Sequence, residues 1–306
     1  MNIAEKLREQ QVSESLIRDA AAFSDNSELS PELTARIPDS PTVFYGRGIW
    51  EMCIAAILEG ENILLSGPKA TGKNVLADNL CQLFGRPQWN TSFHINTDSA
   101  SLIGTDTFID NEVRLRRGSV YECAVNGGFG VFDEINMAKN DALVVLHSAL
   151  DYRKIIDVPG YEKINLHPKT RFIGTMNYDY AGTRELNEAL VSRFMVIDIP
   201  SVDTPVLMQI LTDEFPDARE AALEQFAGIF TDLQEKAFHS EISTRAVDLR
   251  GIIAGLRTVR RGLSPQQAME MGLTGKTFDQ YEKDVVGDVI RMRLPDSWKS
   301  EDIFNS

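Results

Sequence analysis

The sequence predicts an α/β domain followed by a helical segment. An apolar run, a glycine-bearing loop and a helix-compatible run follow one another within residues 62–80. Further apolar runs alternate with helical patterns up to residue 199, which is typical of strands joined by helices. From Val202 onward only helical periodicity remains. We therefore expect an N-terminal helix and linker at 1–41, the α/β domain at 42–201, and a helical domain with the C-terminal tail at 202–306.

The composition excludes some classes of protein. The 31 basic and 45 acidic side chains give a formal net charge of −14, which argues against a protein that coats nucleic acid. No window approaches the roughly 20 consecutive apolar residues of a membrane span, and the N-terminus is too polar for a signal peptide. Cys53, Cys81 and Cys123 lack metal-binding spacing, so we expect reduced, buried thiols in a cytoplasmic protein.

The residues ahead of the first strand give weaker signals. Residues 1–24 carry irregularly spaced apolar positions that predict one amphipathic helix. Residues 24–41, rich in Ser, Asp, Asn and Pro, predict a linker that either connects two parts or crosses to a neighbouring subunit. Phe44, Tyr45 and Gly46 precede a predicted helix at about 48–59. The aromatic pair could flank an adenine ring by stacking or could belong to the core.

The glycine-bearing loop has the spacing Gly-x-x-x-x-Gly-Lys between a strand and a helix, as a phosphate-binding loop requires. Its glycines let backbone N–H groups converge on phosphate oxygens, and the start of the helix adds its positive dipole end. The lysine would reach the outer phosphates, whereas the alternative is a glycine turn without a ligand. The candidate nucleotide-binding residues here are Gly67, Pro68, Lys69, Ala70, Thr71, Gly72, Lys73, Asn74 and Val75.

Asn74 stands where such loops normally carry a Ser or Thr hydroxyl for Mg²⁺. An amide oxygen is a hard, neutral ligand and could substitute for the hydroxyl. The sequence therefore favours nucleotide binding over efficient hydrolysis.

Two adjacent carboxylates end the apolar run that begins at Gly130. Asp133 would hold the water shell of a metal ion, and Glu134 would orient and deprotonate an attacking water. Such a pair is often only the end of a strand. It gains weight because it follows the phosphate-binding loop within an alternating strand–helix chain.

Three further polar residues are candidates for catalysis. Asn177 ends a predicted strand, where its amide can bond both a water and a γ-phosphate, or can simply cap a turn. Arg193 lies between a short helix and the last strand, where it either stabilises charge on a neighbouring subunit's phosphate or forms a surface ion pair. Arg245 is expected at the start of a helix spanning 246–260, an unfavourable place for a cation that suggests a functional role.

Two segments within the α/β domain predict inserted hairpins. The first covers residues 103–117, and its arginines, Arg114, Arg116 and Arg117, either form a solvated face or line a pore. The second covers residues 151–168, with a turn signal at its centre.

With these motifs in this order, residues 42–290 resemble AAA+ ATPases, and specifically the MoxR branch. The resemblance implies a P-loop NTPase sheet of five parallel strands flanked by helices, followed by a helical lid. It implies that Phe44, Tyr45 and Gly46 line the base pocket, that Asn177 is sensor one, and that Arg193 is the arginine finger. Arg245 would be sensor two. The loop departs from the family at Asn74 and at residues 68–71, which concerns the rate of turnover more than binding.

The same resemblance implies an activity. MoxR-type proteins use ATP and Mg²⁺ in a ring, usually a hexamer, to remodel or activate a protein partner that often carries a von Willebrand A domain. Two alternatives remain open. The chain could be a nucleotide-gated switch or scaffold with little hydrolysis, as Asn74 suggests, or a motor on nucleic acid, against which the acidic balance counts.

Overall fold

A computed structural model describes residues 2–24, 29–109, 112–157, 161–178 and 184–305. They form two compact units, the first ending at Pro200 and the second beginning at Ser201. Within the described residues, no helix is both long enough and apolar enough to span a membrane.

The first unit alternates helices with strands. Its elements, in chain order, are α1 (Ile3–Glu9), α2 (Glu14–Phe23), α3 (Pro31–Thr34), α4 (Arg47–Leu58), β1 (Ile63–Gly67), α5 (Lys73–Leu83), β2 (Gln88–Ser92), α6 (Ser99–Ile103), β3 (Gly104–Ile109), β4 (Glu112–Arg117), α7 (Ser119–Asn126), β5 (Phe129–Asp133), α8 (Asn140–Leu143), α9 (His147–Leu150), β6 (Ile155–Ile156), β7 (Ile164–Asn165), β8 (Arg171–Asn177), α10 (Glu188–Val191) and β9 (Met195–Asp198).

Five of these strands form one parallel sheet in the order β2-β5-β8-β1-β9. This confirms the predicted fold class. The inner strand β1, which lies between β8 and β9, is buried along its whole length, as a strand covered on both faces must be. The register sets Gly67 beside Asn177, so the carboxyl ends of β1 and β8 lie at the same edge of the sheet. Ligands of open α/β sheets bind at such an edge.

Two short antiparallel strand pairs lie outside the sheet. β3 pairs with β4 from Gly104 opposite Arg117 onward, and β6 pairs with β7. The hydroxyl of Tyr161 donates to Oδ1 of Asp106 at 2.7 Å and so connects the two inserted segments. The turn expected at residues 159–160 lies outside the described residues.

The N-terminal segment differs from the single helix that the sequence predicts. It forms α1 and α2, separated by a break in which Gln11 has a positive φ of 58°. Ile3 and Leu7 of α1 and Ile17 of α2 are buried in the same core as α4 and α5. The irregular apolar spacing therefore arises from two short helices, each with its own buried face. The expected linker also contains a helix, α3.

The second unit is helical, as expected. Its helices are α11 (Thr204–Glu214), α12 (Glu220–Phe238), α13 (Leu249–Val259), α14 (Pro265–Gly272), α15 (Gln280–Arg293) and α16 (Ser300–Ile303). The C-terminal tail contains α16, and Ile303 and Phe304 are buried in the core of this unit. An isolated bridge between Ala218 and Phe304 holds the tail in place.

The start of α13 corrects one step of the sequence argument. The helix begins at Leu249, and its cap is Asp248, whose carboxylate accepts the Arg250 N–H at 3.0 Å. Arg245 therefore precedes the helix by four residues. The prediction that its charge opposes the dipole of this helix is wrong. Ser243, two residues before Arg245, is held by Glu282 of α15, which accepts both its N–H and its hydroxyl proton.

Candidate functional site

The loop between β1 and α5 has a backbone that requires its glycines. A Cβ at Gly67 would lie 2.3 Å from the backbone oxygen of Ile199, so no side chain fits there. Gly72, which precedes α5, has a φ of 86°, and Ala70 has a φ of 62°. Left-handed residues of this kind turn successive N–H groups inward, which produces a concave site for an anion.

Lys73 is the first residue of α5 and is only 6% exposed. Its Nζ donates to the backbone oxygens of Gly67 and Pro68 at 3.0 and 2.6 Å, and to Oγ1 of Thr71 at 3.3 Å. Burial lowers the pKa of Lys73 to about 8, although Asp133 and Glu134 act to raise it. The loop thus holds a desolvated cation in the field of the two carboxylates.

The two carboxylates lie where β5 ends. Asp133 is the last residue of β5, and Glu134 follows with a left-handed backbone (φ 54°, ψ 47°). Oδ1 of Asp133 accepts the hydroxyl proton of Thr175 at 2.9 Å. Oε1 of Glu134 accepts from Nδ2 of Asn177 at 3.2 Å. The structure therefore brings Glu134 and Asn177 together at the edge where β1 leads into the loop.

Asn74 follows Lys73 in the first turn of α5 and is half-buried. Asp133 and Asn74 both offer hard oxygen ligands, which Mg²⁺ prefers. Within the described residues, no group of three or more His, Cys, Asp or Glu side chains is placed to hold a metal ion. This donor set fits Mg²⁺ and not an all-protein metal cage, because Mg²⁺ usually takes one or two protein ligands together with waters and substrate phosphates.

Of the expected base-pocket residues, Phe44 belongs to the core. It is 8% exposed, its ring packs edge-on against Trp50 with 6.4 Å between centroids, and a Cβ at Gly72 would lie 3.3 Å from it. The buried Phe44 ring thus packs next to Gly72 and supports the phosphate-binding loop from the core side. Tyr45 is half-buried, and Gly46 precedes α4 with a φ of 148°.

Sequence reasoning missed three polar residues around this site. Gln10 of the N-terminal segment donates to the backbone oxygen of Phe44 and accepts the N–H of Gly46, both at 3.0 Å. Asn136 is buried and donates to the backbone oxygen of Asn177 at 2.7 Å. The third is Thr175, whose position two residues before Asn177 on the same face of β8 was a usable signal.

Among the contacts of the described residues, neither Arg193 nor Arg245 contacts Lys73, Asp133, Glu134 or Asn177. Nε of Arg193 donates to the backbone oxygen of His147 at 3.2 Å, and its Nη2 lies 3.7 Å from Asp151. Arg245 belongs to the second unit, where its guanidinium lies 6.0 Å from the centre of the Phe278 ring.

The comparisons with known proteins agree with this geometry. Residues 62–194 match the family described as "AAA domain (dynein-related subfamily)". The chain belongs to the AAA+ family. The matched range begins at β1 and includes the loop, both carboxylates, Asn177 and Arg193. The first unit therefore contains an AAA+ ATPase-type nucleotide-binding domain.

Several bacterial relatives extend the similarity to most of the chain. The AAA+ protein described here is 31% identical over 268 residues to uncharacterized protein YojN of Bacillus subtilis, which covers 85% of this chain and 87% of that protein. It is 30% identical over 242 residues to uncharacterized protein SH1500 of Staphylococcus haemolyticus, covering 76% and 91%. For SERP0979 of Staphylococcus epidermidis, the identity is 29% over 254 residues, covering 80% and 95%.

Proposed function

We propose that this AAA+ protein is a Mg²⁺-dependent ATPase of the MoxR type that uses hydrolysis to remodel or activate a protein partner. The observation that carries the proposal is the 3.2 Å contact between Glu134 and Asn177 beside the phosphate-binding loop. A carboxylate and an amide that are bonded to each other in this way can together hold one water molecule. That water would lie between the pair and the γ-phosphate of a bound nucleotide.

Each residue of the cluster has a distinct task in this proposal. The loop N–H groups bind the phosphates, and Lys73 leaves its carbonyl partners to neutralise the outer phosphates. Glu134 orients the attacking water and accepts its proton, while Asn177 keeps the Glu134 carboxylate directed at that water. Asp133 and Asn74 would hold Mg²⁺, which when bound neutralises charge on the phosphate oxygens.

We further propose that the chain acts as a homo-oligomeric ring, with six subunits as the expected number. In such a ring, Arg193 would exchange its contacts with His147 and Asp151 for a neighbour's γ-phosphate, since a guanidinium stabilises charge on the transferred phosphoryl group. Arg245 would act as the sensor of the second unit. Following the MoxR resemblance, the partner would carry a von Willebrand A domain.

The Glu134→Gln variant tests the catalytic assignment. Removing the general base should lower the ATP hydrolysis rate by at least about 100-fold, because positioned general bases contribute that much. ATP binding should remain within about threefold, since the amide keeps the shape of the side chain. Glu59→Gln, at the exposed end of α4, is the matched control and should hydrolyse ATP at the parent rate. A Glu134→Gln protein with the parent rate would show that the base is elsewhere.

A second candidate function, a nucleotide-gated switch with little hydrolysis, is favoured by one observation. Asn74 occupies the first turn of α5, where a hydroxyl ligand of Mg²⁺ is usual. If the amide limits turnover, Asn74→Thr should raise the hydrolysis rate by about tenfold through improved metal positioning. Steady-state rates at saturating Mg²⁺ measure this, and an equally low rate in both proteins would remove the support that Asn74 gives to the switch.

A further inference from the structure

One buried hydroxyl contacts both acidic residues of the site, Asp133 and Glu134. Thr175, on β8, is 1% exposed. Its Oγ1 accepts the backbone N–H of Glu134 at 3.2 Å and donates to Oδ1 of Asp133 at 2.9 Å. A hydroxyl group can donate one hydrogen bond and accept others at the same time, so the two bonds are compatible. Thr175 therefore joins the end of β5 to β8 at the site.

The two bonds constrain different features of the site. The left-handed backbone of Glu134 is unfavourable for a residue with a side chain, and the bond to its N–H offsets part of that cost. This backbone directs the Glu134 carboxylate towards Nδ2 of Asn177. The second bond engages one oxygen of Asp133 and so fixes the rotation of that carboxylate about its Cβ–Cγ bond.

We propose that Thr175 is a positioning residue of the ATPase site, whose hydroxyl sets the orientation of the Asp133 carboxylate and the backbone of Glu134. The inference rests on the proposed function, because it assigns a supporting role within the same site. Thr175 is buried and acts through the Asp133 carboxylate and the Glu134 backbone, as residues that hydrogen-bond to metal ligands do. The family match gives no role to this residue.

The test compares Thr175→Val, which keeps the shape and removes the hydroxyl, with Thr175→Ser, which keeps the hydroxyl. The first measurement is Mn²⁺ binding to the protein–ATPγS complex, followed by electron paramagnetic resonance. Thr175→Val should bind Mn²⁺ about 10- to 100-fold more weakly, the usual effect of losing an outer-shell partner. Its kcat for ATP should fall by a similar factor, with a smaller change in KM. Thr175→Ser should restore both values.

Thr170→Val is the matched control, because Thr170 is also a buried threonine next to β8. Thr170 directly precedes β8, at the end of the strand away from Asn177, and it is 4% exposed. Its hydroxyl donates to the backbone oxygens of Cys123 and Ala124. This variant loses a buried hydroxyl bond without touching the carboxylates. It should lower the melting temperature and leave the Mn²⁺ affinity unchanged. If Thr175→Val does not fold, Thr175→Ala replaces it with the same expected losses.

The outcomes separate the inference from the function on which it rests. Parent-like Mn²⁺ affinity and kcat in Thr175→Val would overturn the positioning role, as would equal losses in Thr170→Val. Failure of Thr175→Ser to restore Mn²⁺ binding would also overturn it. A wild-type nucleotide complex that binds no Mn²⁺ would instead overturn the proposed function, and this inference with it.

Discussion

At Lys73, burial and nearby charge act on the pKa in opposite directions. Burial lowers the pKa of its ammonium group to about 8, while Asp133 and Glu134 act in the opposite direction. Near pH 7 the group is mostly charged, and above pH 8 it is mostly neutral. A bound triphosphate favours the charged form, so the pKa rises in the complex and binding above pH 8 takes up a proton.

This linkage predicts the pH dependence of nucleotide binding. ATP affinity should be constant below about pH 7 and should fall about tenfold by pH 9, because one pH unit above the pKa leaves roughly a tenth of the lysine charged. Isothermal titration in two buffers of different ionisation enthalpy measures both the affinity and the proton uptake. Lys73→Arg, which stays charged throughout this range, should remove the dependence. A wild-type affinity that is equal at pH 7 and pH 9 would contradict the assignment.

The sequence allowed the prediction of those site residues that lie next to one another or at the ends of strands. The loop, Asp133, Glu134 and Asn177 stand out because glycines, carboxylates and an amide directly follow or end apolar runs. Gln10 and Thr175 did not stand out. Their bonds join residues 36 and 42 positions apart in the chain, and such pairings depend on the packing of distant elements. The assignments of roles at the site remain predictions.

At the scale of elements, strand and helix types were predictable and some boundaries were not. Ser243 and Asp248 are both good helix caps, so local preference alone could not choose between them. The choice follows from a tertiary contact, because Glu282 of α15 binds the N–H and hydroxyl of Ser243 and leaves Asp248 to cap α13. Similarly, α1 and α2 replaced one predicted helix because each buries its own apolar face.

In the first inserted hairpin, the sequence drew attention to the arginines, whereas the exposed apolar side chains were not predicted. Arg114 forms an ion pair with Glu112 at 3.0 Å, and Arg117 lies 3.8 Å from Glu122, so part of the basic charge is balanced locally. Phe108 and Val113 face each other across the hairpin and are 72% and 62% exposed. The described end of the hairpin is therefore more apolar than its arginines suggest.

At the scale of the whole molecule, the fold class followed from the order of elements, since a strand, a phosphate-binding loop and alternating helices permit few topologies. The family match and the parallel sheet agree with it. Ring size, the MoxR assignment and the partner protein depend on surfaces that meet other chains. A single sequence constrains those surfaces weakly, because no contact within one chain shows which of its residues meet another chain.

The central claim is that the loop at Gly67–Asn74 binds a nucleoside triphosphate through Lys73. Isothermal titration of ATP with Mg²⁺ at pH 7, on the wild-type chain and on Lys73→Ala, tests it most directly. We predict saturable binding of one ATP per chain, weakened about 100-fold in Lys73→Ala, as expected when one partner of a buried charge pair is removed. A wild-type chain that binds neither ATP nor GTP at about 1 mM, where even weak ligands register, would contradict the account.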